Sequence, residues 1–156
     1  MSTILLSMGT TCGDDDFLKR SDSSIASSIQ GSWQLISIIQ YDKSGRVLKA
    51  ELPEQKECPL PTYSFLKTNV LDIDDYKKEE GKCIKYTEGK ATWKVQNLKL
   101  IITNQSDKKQ TEYNVTEEKT TLDLEYFIET NDNTFDPKTA RVLYQLKKIK
   151  DYKTTQ

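Results

Sequence analysis

The sequence contains no histidine. That absence removes Ser-His-Asp and Cys-His nucleophilic catalysis, and with them the histidine-ligated metal sites. It also removes the one side chain whose unperturbed pKa lies near neutrality. Any catalysis would fall to carboxylates, Lys, Tyr or Cys. Excess charge is missing too: 23 Lys and Arg against 24 Asp and Glu leave −1. A nucleic-acid binder needs a basic stripe, and a polybasic membrane patch needs the same excess, so neither partner is expected. No apolar run nears the ~20 residues of a membrane-spanning helix. Hydrophobic residues are only 35% of the chain, where apolar residues with glycine usually reach ~45–50%. A chain of 156 residues therefore makes one domain with a thin core or a sheet with one wet face.

What is present is alternation at period two. Gly31 to Tyr41 is rich in β-branched and aromatic residues. Trp33, Leu35, Ile39 and Tyr41 share one parity there, and Ile36 and Ile38 share the other, which reads as a strand apolar on both faces. Asp42-Lys43-Ser44-Gly45 is a hairpin turn, followed by a return strand at Val47 and Leu48. Leu52 to Pro61 holds prolines 53, 59 and 61 and reads as a loop. Tyr63 with Phe65, and Val70 with Leu71 and Ile73, form the next pair. Asp74 to Gly81 is charged and turn-like. Ile84 and Tyr86 mark a short strand, and Ala91, Trp93 and Val95 another. After a turn at Gln96-Asn97, strands continue at Leu98, Leu100 and Ile102, at Tyr113 and Val115, and at Leu122, Leu124, Tyr126 and Ile128. Thr130 to Lys138 is a polar loop, and Val142, Tyr144 and Leu146 form a closing strand. No stretch keeps helical spacing for twelve residues. Eight to ten short strands joined by short polar turns predict an all-β, antiparallel up-and-down barrel. Closure into a barrel also removes exposed edge strands.

The N-terminus has a different character. Residues 1–11 are apolar to small and uncharged, and Cys12 is followed by Gly13 and the acidic run Asp14 to Asp16. This resembles the end of a bacterial lipoprotein signal, in which the Cys becomes the lipidated first residue. Gly9 stands where that family usually has Leu, and no positive charge precedes the apolar run. The acidic residues after Cys12 resemble the surface-export tag of Bacteroidetes lipoproteins. The resemblance implies an outer-membrane lipoprotein, periplasmic or exposed on the cell surface. Residues 13–29, rich in Ser and Asp, are expected to be a flexible tether between the 1–12 signal remnant and a domain over 30–150. In an exported chain Cys58 and Cys83 form a natural disulfide, since two thiols without histidine cannot complete a zinc site.

Residues 30–149 are similar to the small lipocalin-like domain of Bacteroidetes lipoproteins. The residues that carry the likeness are Gly31-x-Trp33-x-Leu35, Tyr41-Asp42-x-x-Gly45, Cys58 ahead of Tyr63-x-Phe65, Cys83, and Trp93 with Leu98-x-Leu100. The Thr-Asp-Tyr element of larger lipocalins is absent, so their ligand chemistry is not implied. What the likeness implies is an antiparallel barrel with a small apolar cavity. Trp33, Tyr63, Phe65, Trp93, Tyr126 and Tyr144 are the candidate lining residues, and Arg141 is a candidate to stack on Trp33.

Other motifs fall away. Ser64-x-x-Lys67 fits a penicillin-recognising nucleophile, but its Lys-Thr-Gly and Ser-Asp-Asn partners are missing. An EF-hand loop beginning at Asp72 would have Lys77 and Cys83 where Gly and Glu are required. Asp123 and Glu125 alternate with Leu122, Leu124 and Tyr126, so they should face solvent and titrate normally. The expected protein is non-catalytic, monomeric and without metal or cofactor. It would be held to the membrane through its lipid alone and would bind a small hydrophobic ligand. The alternatives are a glycan-active or glycan-binding protein using carboxylates, and a structural or inhibitor-like surface protein with a filled barrel.

Overall fold

The computed structural model describes residues 20–129 and 134–150. Cys12, Asp14 to Asp16 and the first part of the expected tether lie outside the described residues. Among the described residues one helix, α1 (Asp22–Ile29), precedes nine strands: β1 (Gly31–Tyr41), β2 (Val47–Glu51), β3 (Thr62–Phe65), β4 (Val70–Glu79), β5 (Lys82–Gln96), β6 (Lys99–Asn104), β7 (Gln110–Glu117), β8 (Thr121–Phe127) and β9 (Arg141–Lys150). All pair antiparallel in one sheet, and β1 with β9 closes it. β1 shares one edge between β3, at residues 31–34, and β2, at residues 38–41. Its other edge is taken by β9. Eight strands thus form the barrel, and the short β2 extends the upper half of β1. The all-β antiparallel barrel expected from the alternation is what forms.

Three departures from simple alternation shape the barrel. The first is in β1, where the register with β9 slips between Leu35 and Ser37. This bulge leaves Ile36 without a partner and switches the inward face. Trp33 and Leu35 point inward below it, and Ile38 and Gln40 above it. Ile39 and Tyr41, expected to share the parity of Trp33, therefore turn outward.

The second departure is a long ribbon. Residues 74–79, expected as a turn, continue β4, and the two short strands expected around Ile84 and Trp93 are one 15-residue strand, β5. A bulge between Ile73 and Asp74, opposite Gly89 and Thr87, marks where the ribbon leaves the barrel. Above it the pairing runs Asp74–Thr87 to Glu79–Lys82. Charged residues there face water on both sides, which is why the segment lacks the apolar mark of a strand. The Cys58–Cys83 disulfide ties the ribbon to the proline-rich loop before β3, with the Cα atoms 5.6 Å apart.

The third departure is at the N-terminal side. Residues 22–29, expected as the end of a tether, fold into α1. Ser21 caps it, and the Ser21 and Ser24 side chains satisfy each other's backbone N–H groups. Ile25 and Ile29 sit four residues apart on one helical face, and both are buried in the core. The Asp22 carboxylate accepts from the backbone N–H groups of Asn97 (3.2 Å) and Leu98 (2.7 Å). Those two residues form the β5–β6 turn, both at positive φ, so Leu98 belongs to the turn rather than to the strand. The Arg20 guanidinium donates to the Val115 carbonyl at 2.6 Å. Ile25 and Ile29, set among serines, gave too little apolar pattern to mark this plug.

Candidate functional site

The barrel is filled at one end and open at the other. The filled end lies beneath α1. Trp33 (0% exposed), Phe65 and Trp93 pack there with Leu35, Leu71, Leu100 and Leu146. Phe65 meets Trp93 edge-on, with ring centres 5.6 Å apart. Both indoles have their N–H groups satisfied: Trp33 donates to the Ile29 carbonyl at 2.8 Å, and Trp93 to the Leu66 carbonyl at 3.1 Å. Lys148, opposite Trp33 in the register, holds its ammonium 4.9 Å from the indole centre. Three of the candidate lining residues, Trp33, Phe65 and Trp93, therefore form the floor and are not among the residues that line the cleft at the open end.

Arg141 does not reach Trp33 either. It starts β9 at the open end, whereas Trp33 sits near the start of β1 at the closed end, and the two strands run antiparallel. Arg141 stacks on Tyr41 instead, at 3.9 Å, and donates to the Glu125 carboxylate at 3.0 Å. This cross-strand row lies on the outside of the barrel. Asp123, expected to titrate normally, has its pKa raised by partial burial and by the negative charge of Glu118. It lies in a shallow groove beside the β1 bulge with Ile36 and Gln145.

At the open end the inward residues separate. A cleft of about 1000 Å³ is lined by Tyr63, Ile73, Ala91, Ile102, Thr111 and Tyr113, with Asn104 to Ser106, Lys90, Lys109 and Thr134 toward the rim. That volume is at the upper end of the ~300–1,000 Å³ usual for small-molecule sites. Tyr113 continues into an aromatic cluster, with its ring 5.9 Å from both Tyr126 and Tyr144. Phe135 joins beside Tyr126 at 6.5 Å. The segment carrying Phe135 is pinned to the barrel by the buried Gln40, whose side-chain carbonyl accepts from Thr139 Oγ1 (3.0 Å) and the Asp136 N–H (3.3 Å).

Of the six candidates, Tyr63 lines the cleft directly, and Tyr126 and Tyr144 back its tyrosine wall. Tyr113, Ile73, Ile102 and Thr111 were missed as site residues. The signal was available: each lies an even number of positions from a buried residue on its own strand, such as Leu71, Leu100 or Val115. The rim was not legible, because the turn over 104–109 is fixed by local bonds of Asn104 and Asp107 to nearby N–H groups. Among the described residues no Asp or Glu lines the cleft, and no group of three His, Cys, Asp or Glu side chains could hold a metal ion.

No curated protein matches the sequence. The family model for the lipocalin-like domain matches residues 29–135. The match runs from the last residue of α1 through all of β8, and so takes in most of the floor, the stapled ribbon and most of the cleft wall. It spans more than half of the sequence, and the chain belongs to the lipocalin-like domain family.

Proposed function

We propose that this protein is a non-catalytic, lipid-anchored envelope protein whose barrel mouth takes a small hydrophobic ligand. The observation that carries this reading is the open cleft above a filled floor. Its wall is mainly aromatic and aliphatic, with Thr111 a polar member and the other polar groups toward the rim, as in sites that bury most of an apolar ligand. A glycan-cleaving reading would need an acid and a base across that space, and the described lining offers neither. Anchoring rests on Cys12 behind its apolar stretch and ahead of Asp14 to Asp16. The disulfide fits an oxidising compartment such as the periplasm or cell surface. The protein acts as a monomer, reaches the membrane through its lipid and binds no nucleic acid.

Two experiments test the two halves of this reading. Thr111→Trp places an indole in the cleft from the inward face of β7. It should weaken binding of the uncharged dye Nile red by about tenfold or more without lowering the melting temperature. Equal binding by the variant would remove the cleft from consideration. Cys12→Ser should move the protein from the membrane fraction to the soluble fraction, and unchanged fractionation would overturn the anchor.

A further inference from the structure

The near-zero net charge conceals an uneven distribution. At the open end Arg46, Lys49, Lys56, Lys78 and Arg141 each hold a carboxylate at 2.9–3.6 Å. Four lysines at the closed end are exposed and form no such pair among the described residues. Lys67 stands on the turn between β3 and β4, Lys94 and Lys99 flank the β5–β6 turn, and Lys147 lies near the end of β9. The acids described at that end are few. Asp22 is held by the backbone N–H groups of Asn97 and Leu98, and Glu117 and Glu118 adjoin Lys119. Leu98, 45% exposed, is an apolar tip between Lys94 and Lys99. The N-terminal chain enters at this same end, where Arg20 is bonded to the Val115 carbonyl. Cys12 precedes Arg20 by eight residues, a stretch that spans at most about 29 Å.

We propose that the closed end docks on an anionic bilayer surface, with Lys67, Lys94, Lys99 and Lys147 against the headgroups and the cleft turned away from the membrane. This rests on the lipid anchor proposed at Cys12 and names the surface that the anchor brings to the bilayer. It reverses the expectation that the lipid alone meets the membrane, because that expectation rests on net charge and not on its placement. Each lysine near an anionic surface favours docking by about fivefold. Four of them alone give roughly millimolar binding, too weak to retain a chain without its lipid. A short tether imposes an effective concentration of about the same size, so the anchored barrel spends a large share of its time docked. Asp14 to Asp16 adjoin Cys12 and are near the surface whether or not the barrel docks, so they do not offset the lysines. A barrel standing on its closed end takes its ligand from the aqueous side rather than from the bilayer.

The test couples the full chain through the Cys12 thiol to a maleimide lipid in nanodiscs. With Cys58 and Cys83 bonded to each other, Cys12 is the one free thiol of the sequence, and the coupling does not depend on whether cells lipidate it. A gadolinium-chelating lipid in the disc should broaden the amide signals of Lys67, Leu98 and Lys99 more than those of Ser44, Gly81 and Ser106. On discs containing phosphatidylglycerol this contrast should be at least about twofold larger than on phosphatidylcholine alone. Added salt should erase the gain, because exposed charges are screened. In Lys67→Gln/Lys94→Gln/Lys99→Gln the gain should be lost while the melting temperature is unchanged. A contrast equal on the two lipids, or a gain that survives in the triple variant, would overturn the docking. Either result would leave the anchor standing, which the fractionation of Cys12→Ser tests separately.

Discussion

Trp33→Ala should lower the melting temperature by about 12–20 °C, the largest effect expected of any single substitution in the barrel. Removing a fully buried Trp costs about 3–5 kcal/mol, and in a domain of this size each kcal/mol corresponds to about 4 °C. Trp33 is 0% exposed and joins two parts of the molecule. Its ring fills the floor, and its indole N–H is bonded to the last carbonyl of α1. The alanine variant loses the packing and leaves the Ile29 carbonyl, beneath the plug, without its donor. A single domain has about 5–15 kcal/mol in all, so the loss is a large share. Phe127→Ala is the matched control: Phe127 is 54% exposed on the same sheet and should shift stability by less than about 0.5 kcal/mol. Urea denaturation of both variants checks the pair. A loss below about 1 kcal/mol for Trp33→Ala would mean that the helix and floor do not form one unit.

Removing the disulfide should cost about 3 kcal/mol. The cysteines are 25 residues apart in sequence, and a loop of that size restricts the unfolded chain by about this amount in the chain-entropy model. The folded state adds a local consequence. Beyond the Thr62–Asp74 pair, the ribbon over residues 75–86 pairs only with itself above the barrel, and Cys83 ties it to the loop at Cys58. Lys78 also reaches Glu57 across that junction, at 3.6 Å, but such a surface pair contributes little. In Cys58→Ala/Cys83→Ala, hydrogen exchange should therefore quicken most in the ribbon, and the floor around Leu100 and Leu146 should remain the slowest region. In the unmodified protein, neither Cys58 nor Cys83 should react with an alkylating reagent until a reductant is added. Labelling of either without reductant would contradict the bond.

How legible these features were differs from place to place, for physical reasons. Strands with one wet face and one dry face were readable, because Leu122, Leu124 and Tyr126 must alternate with polar residues to bury one side. The barrel followed from counting such strands. The ribbon was hidden because it buries neither face, so Asp74 to Glu79 carries no apolar signature of the strand it forms. The bulge at Ile36 was hidden because a one-residue slip between two apolar faces leaves the pattern reading the same. Helix α1 was hidden because an eight-residue helix needs only two inward residues, and Ile25 and Ile29 among serines look like noise. At the site, composition drew attention to the largest aromatics, and those filled the floor. The cleft belongs to medium-sized residues higher on the same inward rows, and their height on the barrel depends on register, which no single strand reveals.

Residue-resolved NMR of the full chain titrated with decanol tests most directly whether the barrel mouth is the ligand site. Resonances of Tyr63, Ile73, Ile102, Thr111 and Tyr113 should shift together and saturate with one affinity, while the indole N–H signals of Trp33 and Trp93 stay fixed beneath the floor. Shifts confined to exposed residues such as Val47 and Phe127, or centred on the two indoles, would contradict a binding cleft at the open end.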